Sequence, residues 1–233
     1  MSVSIKVETT DFITTITINR PEKRNALNRE MREFIKNEIA RLNQSDSTKV
    51  VILTGTDPAF SAGVDFSELN DPNTDFAEIG PLPGPFFTSD IPVIGAINGA
   101  AYTGGLELAL TCNLLIASEK AIFADTHAKM GMMPGWGLSV HLPIAVGPTR
   151  ARQMMTSCQP ISAQQAYEWG LVNELVSHDQ LIKRAHEVAG AIAKQDISVI
   201  RKIGAVFNQN RHERDAKAWL NEQAAFIKIE PSK

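Results

Sequence analysis

Short apolar runs that end in turns most strongly limit what this chain can fold into. Residues 50–53 and residues 92–97 are such runs, and each is followed by a turn that contains glycine. Runs of this composition are typical of strands that are covered on both faces of a sheet. Residues 114–117 and 122–124 predict two further strands. Because helical patterns separate these strands, we predict an α/β fold.

An early helix is predicted after a β-branched strand over residues 12–18. Asn28 is a suitable N-cap for this helix. Its apolar face is predicted to consist of Met31, Phe34, Ile35, Ile39 and Leu42. A short buried helix is also predicted over residues 105–111. Residues 80–85, which are rich in proline and glycine, predict a surface loop.

The chain after residue 136 is predicted to be almost entirely helical. Ser162 and Gln165 have the spacing of a capping box. Three amphipathic helices are predicted over residues 180–193, 198–208 and 211–227. The apolar face of the last one is predicted to contain Ala216, Trp219, Leu220 and Ile227. We expect these faces to pack on the α/β region or on another subunit.

Composition excludes several classes of protein. Hydrophobic residues make up 43% and charged residues 21%, with a formal net charge of -3, so nothing attracts nucleic acid or an anionic membrane overall. Cys112 and Cys158 form no CxxC pair, and no HExxH motif is present, so we predict no metal site. No signal peptide or membrane-spanning run is evident. We therefore expect a soluble, cytoplasmic protein.

Two glycine-bearing segments follow predicted strands. They are residues 59–65, which contain Ala-Gly-Val-Asp, and residues 98–108, which contain Thr-Gly-Gly. Either segment alone could simply end a strand, since glycine is common in turns. In this order and context, however, the pair resembles the crotonase family of enoyl-CoA hydratases and isomerases. The resemblance extends over nearly the whole chain, including residues 19–28, 131–137 and 170–173.

The resemblance implies roles for the residues of both segments. The N–H groups of Val64 and Gly104 would form an oxyanion hole for a thioester, which two convergent backbone donors can stabilise. Trp136 would line the acyl pocket, although a core aromatic is an equal alternative. The coenzyme A site would include Arg24, Ala26, Ala62 and Asp65. A surface arginine such as Arg24 is otherwise more often only a solvated charge.

Glu107 is the first candidate for acid–base catalysis. It lies within Leu-Glu-Leu-Ala-Leu, so we expect its carboxylate to be buried among apolar side chains. Burial favours the protonated form and brings the group towards a useful catalytic pKa. The resemblance gives it the role of the first catalytic glutamate of the hydratases. The alternative is a structural carboxylate that pairs with an arginine or caps its own helix.

His127 occupies the position where the family's second catalytic glutamate is expected. A histidine can give or take a proton near neutral pH, so acid–base chemistry remains available. The replacement weakens an isomerase interpretation in particular. Asp125 is an alternative acid close by in sequence. A loop histidine that only bonds to backbone is an equally open interpretation.

The resemblance also implies the architecture and the reaction. The fold would be a ββα spiral, with an acyl-CoA-binding core over residues 1–180 and a helical oligomerisation region over residues 181–233. That region is shorter than is usual in the family, whose members form trimers or dimers of trimers. The predicted reaction is hydration of a trans-2-enoyl-CoA, with no cofactor beyond the coenzyme A of the substrate. Isomerase, decarboxylase and hydrolase activities, or non-catalytic acyl-CoA binding, are the alternatives.

Overall fold

The main sheet has six strands in the order β1-β2-β3-β5-β7-β10. A computed structural model of the protein describes residues 4–69 and 89–226. The first two strands pair antiparallel and all later neighbours in this sheet pair parallel. The strands are β1 (Ile5–Thr10), β2 (Ile13–Ile18), β3 (Val50–Gly55), β5 (Val93–Ile97), β7 (Leu114–Ser118) and β10 (Glu174–Val176). Every residue of β3 and β5 is buried, as the apolar runs predict.

A smaller sheet has four short strands in the order β4-β6-β8-β9. They are β4 (Ala59–Ser61), β6 (Ala100–Tyr102), β8 (Ile122–Ala124) and β9 (Ile161–Ser162). Each of β3, β5 and β7 in the main sheet is followed directly along the chain by one of these strands. This alternation, with helices after β4 and β6, confirms the predicted α/β spiral of strand-strand-helix turns. Strands β4 and β6 were predicted only as parts of turns, because three residues carry too little periodicity.

Eight α-helices and three short 3₁₀ helices complete the described part of the chain. The α-helices are α1 (Arg29–Asn43), α2 (Phe66–Leu69), α3 (Gly104–Thr111), α4 (Leu138–Val146), α5 (Pro148–Ser157), α6 (Ala163–Glu168), α7 (Leu181–Ala193) and α8 (Ile197–Phe226). The predicted caps are confirmed: the side chain of Asn28 accepts a hydrogen bond from the Met31 N–H, and Ser162 with Gln165 forms a capping box. Helix α7 packs its Leu181, Ala185 and Ala189 on the main sheet.

Two residues of the predicted apolar helix faces are exposed in the single chain. Phe34 of α1 is 43% exposed, because it lies at the edge of the stripe that buries Met31, Ile35, Ile39 and Leu42. Leu220 of α8 is 67% exposed, since the buried side of that helix runs through other residues. Among the predicted features, Ile227 and the loop over residues 80–85 lie outside the described residues.

Helix α8 is a single helix of 30 residues rather than the two predicted segments. No glycine or proline interrupts residues 205–226, so nothing in the local sequence ends a helix near residue 209. Its first half packs against residues 89–91, where Asn208 Nδ2 donates to the Ser89 carbonyl at 3.0 Å. Its second half reaches α4 and the loop before it. Among the helices of residues 4–69 and 89–226, none is both long and apolar enough to cross a membrane.

Candidate active site

The two glycine-bearing segments meet at one edge of the smaller sheet. Strands β4 and β6 are parallel neighbours, so the turns that follow them leave the sheet on the same side. Gly63 has a φ of +94°, and a Cβ on it would lie 2.9 Å from the Gly104 nitrogen. A Cβ on Gly104 would in turn lie 3.4 Å from the Val64 nitrogen. The close backbone approach therefore requires glycine at position 63, and a side chain at position 104 would push its neighbours apart.

The N–H groups of Val64 and Gly104 lie on these adjoining backbones. Gly63 and Asp65 bond to Leu27 through the Gly63 carbonyl and the Asp65 N–H, which leaves the Val64 N–H on the other side of the chain. Gly104 is the first residue of α3, where a helix has N–H groups without an intrahelical acceptor. Within residues 4–69 and 89–226, neither N–H donates to a protein acceptor. The arrangement offers two donors to one ligand atom.

Residues 20–27 support the first glycine-bearing segment, residues 59–65, through hydrogen bonds. The Ala62 N–H donates to the Arg24 carbonyl at 3.0 Å, and the Ser61 hydroxyl donates to the Asn25 carbonyl at 2.9 Å. Arg24 and Asn25 both have positive φ, of 50° and 56°. The Arg24 side chain is exposed, whereas Ala26 is buried. The residues predicted to bind coenzyme A, Arg24, Ala26 and Ala62, thus lie together where residues 20–27 contact residues 59–65.

Asp65 is anchored by protein groups on every side. Its carboxylate forms an ion pair with Arg20 and accepts from the Ser67 N–H at 2.9 Å. Burial alone would raise the pKa of Asp65, but the bonds from Ser67 and Arg20 outweigh it and lower the pKa to about 2. The Arg20 guanidinium also donates to the Ala26 carbonyl at 3.3 Å. The Asp65 side chain therefore fixes the turn. The contribution of Arg20 was not predicted from the sequence.

Glu107 lies one helical turn into α3 and is buried, with 3% of its surface exposed. Its Oε1 accepts from the Trp136 N–H at 2.8 Å and from the Leu138 N–H at 3.3 Å. Burial raises the pKa of Glu107 to about 7, although the charge of His127 and the two N–H donors oppose this. The carboxyl group therefore changes charge near neutral pH, as the apolar sequence around it predicts.

His127 faces Glu107 from the segment after β8. Its Nε2 lies 3.7 Å from Glu107 Oε2, and its Nδ1 lies 2.7 Å from Asp125 Oδ1. Burial lowers the pKa of His127, but the hydrogen bond to Asp125 and the charges of Glu107, Asp125 and Glu222 outweigh it and raise the pKa above its ordinary value. Asp125, first considered as an alternative acid, instead orients the imidazole. The structure brings Glu107 and His127 together.

Trp136 lies between the two parts of the site. It is buried, and its ring atom Cζ3 would be 3.1 Å from a Cβ on Gly104. Its backbone N–H is one of the donors to Glu107. The side chain therefore borders the backbone that offers the Gly104 N–H, while the main chain of the same residue positions the carboxylate.

Glu222 of α8 is a further buried carboxylate beside Glu107, and it is not among the residues predicted from the sequence. It is 3% exposed and its charge contributes to the raised pKa values of Glu107 and His127. One signal was available in the sequence. Asp215, Trp219, Glu222 and Phe226 recur at helical spacing, so they share one side of α8, and acids on a predicted apolar side need partners.

The fold and sequence of this chain have counterparts among known proteins. The family model of enoyl-CoA hydratase/isomerase matches residues 8–232. The chain belongs to this family. It is 38% identical over 205 residues to the probable peroxisomal enoyl-CoA hydratase 1 of Arabidopsis thaliana, covering 84% of this chain and 75% of that protein.

Two further relatives extend the comparison. The chain is 31% identical to the crotonyl-CoA hydratase of Syntrophomonas wolfei, covering 96% of this chain and 88% of that one. The crystal structure of enoyl-CoA hydratase from Mycobacterium tuberculosis H37Rv superposes with a TM-score of 0.91 at 42% identity, covering 97% of this chain and 98% of that chain. The fold and the family predicted from the glycine-bearing segments are therefore confirmed.

Proposed function

We propose that this protein adds water across the double bond of a trans-2-enoyl-CoA and forms a 3-hydroxyacyl-CoA. The observation that carries the proposal is the buried Glu107–His127 couple beside two backbone turns with N–H groups to offer. Hydratases of enoyl-CoA thioesters among the relatives support the same reaction. The overall change adds a hydroxyl group to C3 and a proton to C2 of the substrate.

The thioester oxygen binds to the N–H groups of Val64 and Gly104. Attack at C3 moves negative charge onto this oxygen as an enolate, and preorganised N–H donors stabilise it without rearranging. Gly104 adds the positive end of the α3 dipole. Trp136 closes the acyl pocket beside this point, so we expect it to influence which acyl chains fit.

Water is held between Glu107 and His127. The distance of 3.7 Å between Oε2 and Nε2 is too long for a direct hydrogen bond, yet one water molecule can contact both atoms. Ionised Glu107 takes a proton from this water as the hydroxyl adds to C3. Protonated His127, whose pKa Asp125 helps to raise, supplies the proton for C2. The rate should therefore rise with pH through about 7, where Glu107 ionises.

Coenzyme A binds along the contact between the loop that contains Arg24 and Ala26 and the turn that contains Ala62 and Asp65. The exposed Arg24 is suited to the phosphates. The carbonyl groups of Ala26 and Ala62 are suited to the pantetheine amides, since the N–H groups of both residues already donate to protein carbonyls. Asp65 acts through its ion pair with Arg20, which holds the two segments together. The proposal needs no cofactor other than the coenzyme A that the substrate carries.

A homotrimer, or a dimer of trimers, is part of the proposal. Helix α8 exposes an apolar stripe at Val199, Ile203, Val206 and Phe207, whose exposed fractions are 52%, 52%, 57% and 70%. Exposed apolar surface of this kind is typical of subunit contacts. Phe207→Asp should shift the mass measured by light scattering towards the monomer. A monomeric mass for the unsubstituted protein would contradict the proposed trimer.

The direct test is the loss of enoyl absorbance when the purified protein meets crotonyl-CoA, with the product identified by mass. A product heavier by one water molecule supports hydration. An isomerised, decarboxylated or hydrolysed product would replace hydration by that reaction. Saturable binding of acyl-CoA without any product would support a binding protein instead.

A further inference from the structure

A carboxylate outside the predicted couple of Glu107 and His127 accepts hydrogen bonds from the same backbone segment as Glu107 does. Residues 136–139, which lead into α4, present four consecutive N–H groups to two buried glutamates. The first and third N–H groups donate to Glu107, and the second and fourth donate to Glu222. The conformation of one short segment therefore determines where both carboxylates lie.

The contacts of Glu222 occupy both of its oxygens. Oε1 accepts from the Gly137 N–H at 2.7 Å, and Oε2 accepts from the Ser139 N–H at 2.8 Å. The Ser139 hydroxyl also donates to Oε2. Leu138 and Ser139 are the first residues of α4, whose N–H groups have no intrahelical acceptor and favour negative charge. A neutral or shorter side chain at position 222 would leave part of this set unsatisfied.

The end of α8 is fitted closely to the same segment. Gln223 Nε2 donates to the Gly135 carbonyl at 3.0 Å, and a Cβ on Gly135 would lie 3.2 Å from the Phe226 ring. Gly137 has a φ of +95°, and a Cβ there would lie 2.6 Å from the Trp219 ring. A movement of this segment would therefore displace the end of α8. The helix end thus supports the segment that positions Glu107.

We propose that Glu222 is a positioning residue, which holds residues 136–139 so that Glu107 stays at the distance from His127 at which one water molecule can contact both side chains. This inference rests on the proposed function and goes beyond it, because it makes the last turns of α8 part of the catalytic apparatus. In this role Glu222 does not touch the substrate. It acts through residues 136–139, whose alternate N–H groups donate to Glu222 and to Glu107.

The charge of Glu222 gives this role a measurable signature. The charged groups facing Glu107 are His127 from the segment after β8 and Glu222 from α8, and His127 is also bonded to Asp125. Burial raises the pKa of Glu222 itself, against the hydrogen bonds from Ser139 and Gly137. The negative charge of its ionised form raises the pKa of Glu107 and that of His127. Removing the charge should therefore lower both pKa values and move the pH–rate profile to lower pH.

Two substitutions separate charge from geometry. Glu222→Gln removes the charge and turns an N–H₂ group towards a backbone donor, whereas Glu222→Asp keeps the charge but shortens the side chain. We expect kcat to fall about 10-fold or more in both, with KM changed much less. The pH–rate profile should move down by about 0.5–1 pH unit in Glu222→Gln and stay in place in Glu222→Asp. Glu213→Gln, an exposed change on the same helix, is the matched control.

A readout that needs no turnover keeps this inference separate from the proposed reaction. The NMR titration of the His127 imidazole should shift to lower pH in Glu222→Gln and not in Glu213→Gln or Glu222→Asp. If the protein hydrates no enoyl-CoA but the His127 shift is present, the reaction is wrong and the coupling stands. If Glu222→Gln matches Glu213→Gln in kcat and in the His127 titration, or loses only thermal stability, the inference is overturned.

Discussion

The two halves of the site are held by different parts of the fold. The turns that carry Val64 and Gly104 follow neighbouring parallel strands, and their backbones touch directly. Glu107 instead depends on a segment 29 residues further along, which is held by a helix a further 85 residues away. The first half uses main-chain donors fixed by the sheet, whereas the second uses buried charges fixed by long-range contacts. Substitutions should therefore affect binding and proton transfer separately.

The largest effect is expected for Glu107→Gln. Loss of the ionisable group should reduce the hydration rate about 10³-fold, within the range for a general acid–base residue. Binding of a saturated acyl-CoA should change little, because the N–H groups of Val64 and Gly104 are untouched. Initial rates with crotonyl-CoA measure this, with Glu213→Gln as the exposed control. Equal rates in the two variants would remove Glu107 from the mechanism.

Gly104→Ala tests the other half and should cost about 10²-fold in rate, similar to the loss of one oxyanion donor. The added Cβ would lie 3.1 Å from the Trp136 ring and 3.2 Å from the Gly63 Cα, so the two turns must separate. Gly190→Ala is the matched control, since a Cβ at Gly190 in α7 meets nothing within 4 Å. Titration with a saturated acyl-CoA should show weaker binding in Gly104→Ala alone. Wild-type affinity in that variant would mean that the two turns do not form the thioester site.

The sequence was most informative where contacts are local. Gly63 and Gly104 each follow a strand, and the two strands are neighbours, so a short motif specified each turn and the fold specified their meeting. Glu107 could be predicted to be buried from its apolar neighbours. No local pattern revealed that Asp125 orients His127, since an acid two residues away has several possible directions.

The contact between Glu222 and residues 137–139 could not be predicted for a related reason. It joins parts of the chain 85 residues apart, and α8 was predicted as two shorter helices whose ends had no assigned position. The role of Arg20 was not predicted either, because its contact with Asp65 spans 45 residues. Side chains that support a site through distant contacts carry little signal in a single sequence.

Asp125→Asn should have an intermediate effect on the acid–base half, a loss of about 10-fold in rate. Without the carboxylate beside Nδ1, the pKa of His127 should fall, because that hydrogen bond and charge raise it. The decline of the rate at high pH should then begin at lower pH. The pH–rate profile of the variant checks this. An unchanged profile would assign the proton transfer to a group other than His127.

Asp65→Asn should have the smallest effect on rate, about threefold, and act mainly on stability. Losing the partner of Arg20 should cost about 1–3 kcal/mol in the free energy of unfolding. Because the pKa of Asp65 is lowered to about 2, its stabilisation is present above the unfolded value and is lost as pH falls from about 4 towards 2. Chemical denaturation at pH 7 and pH 3 measures the loss in the free energy of unfolding and its dependence on pH. Equal losses at the two pH values would contradict the role of this ion pair.

The measurement that tests the separation of the two halves most directly is the infrared spectrum of a bound saturated acyl-CoA with a ¹³C-labelled thioester carbonyl. Hydrogen bonds from Val64 and Gly104 should lower the carbonyl stretching frequency in the unsubstituted protein. We predict that Glu107→Gln keeps this shift while losing turnover, and that Gly104→Ala loses the shift. A shift that disappears in Glu107→Gln, or persists in full in Gly104→Ala, would contradict the account.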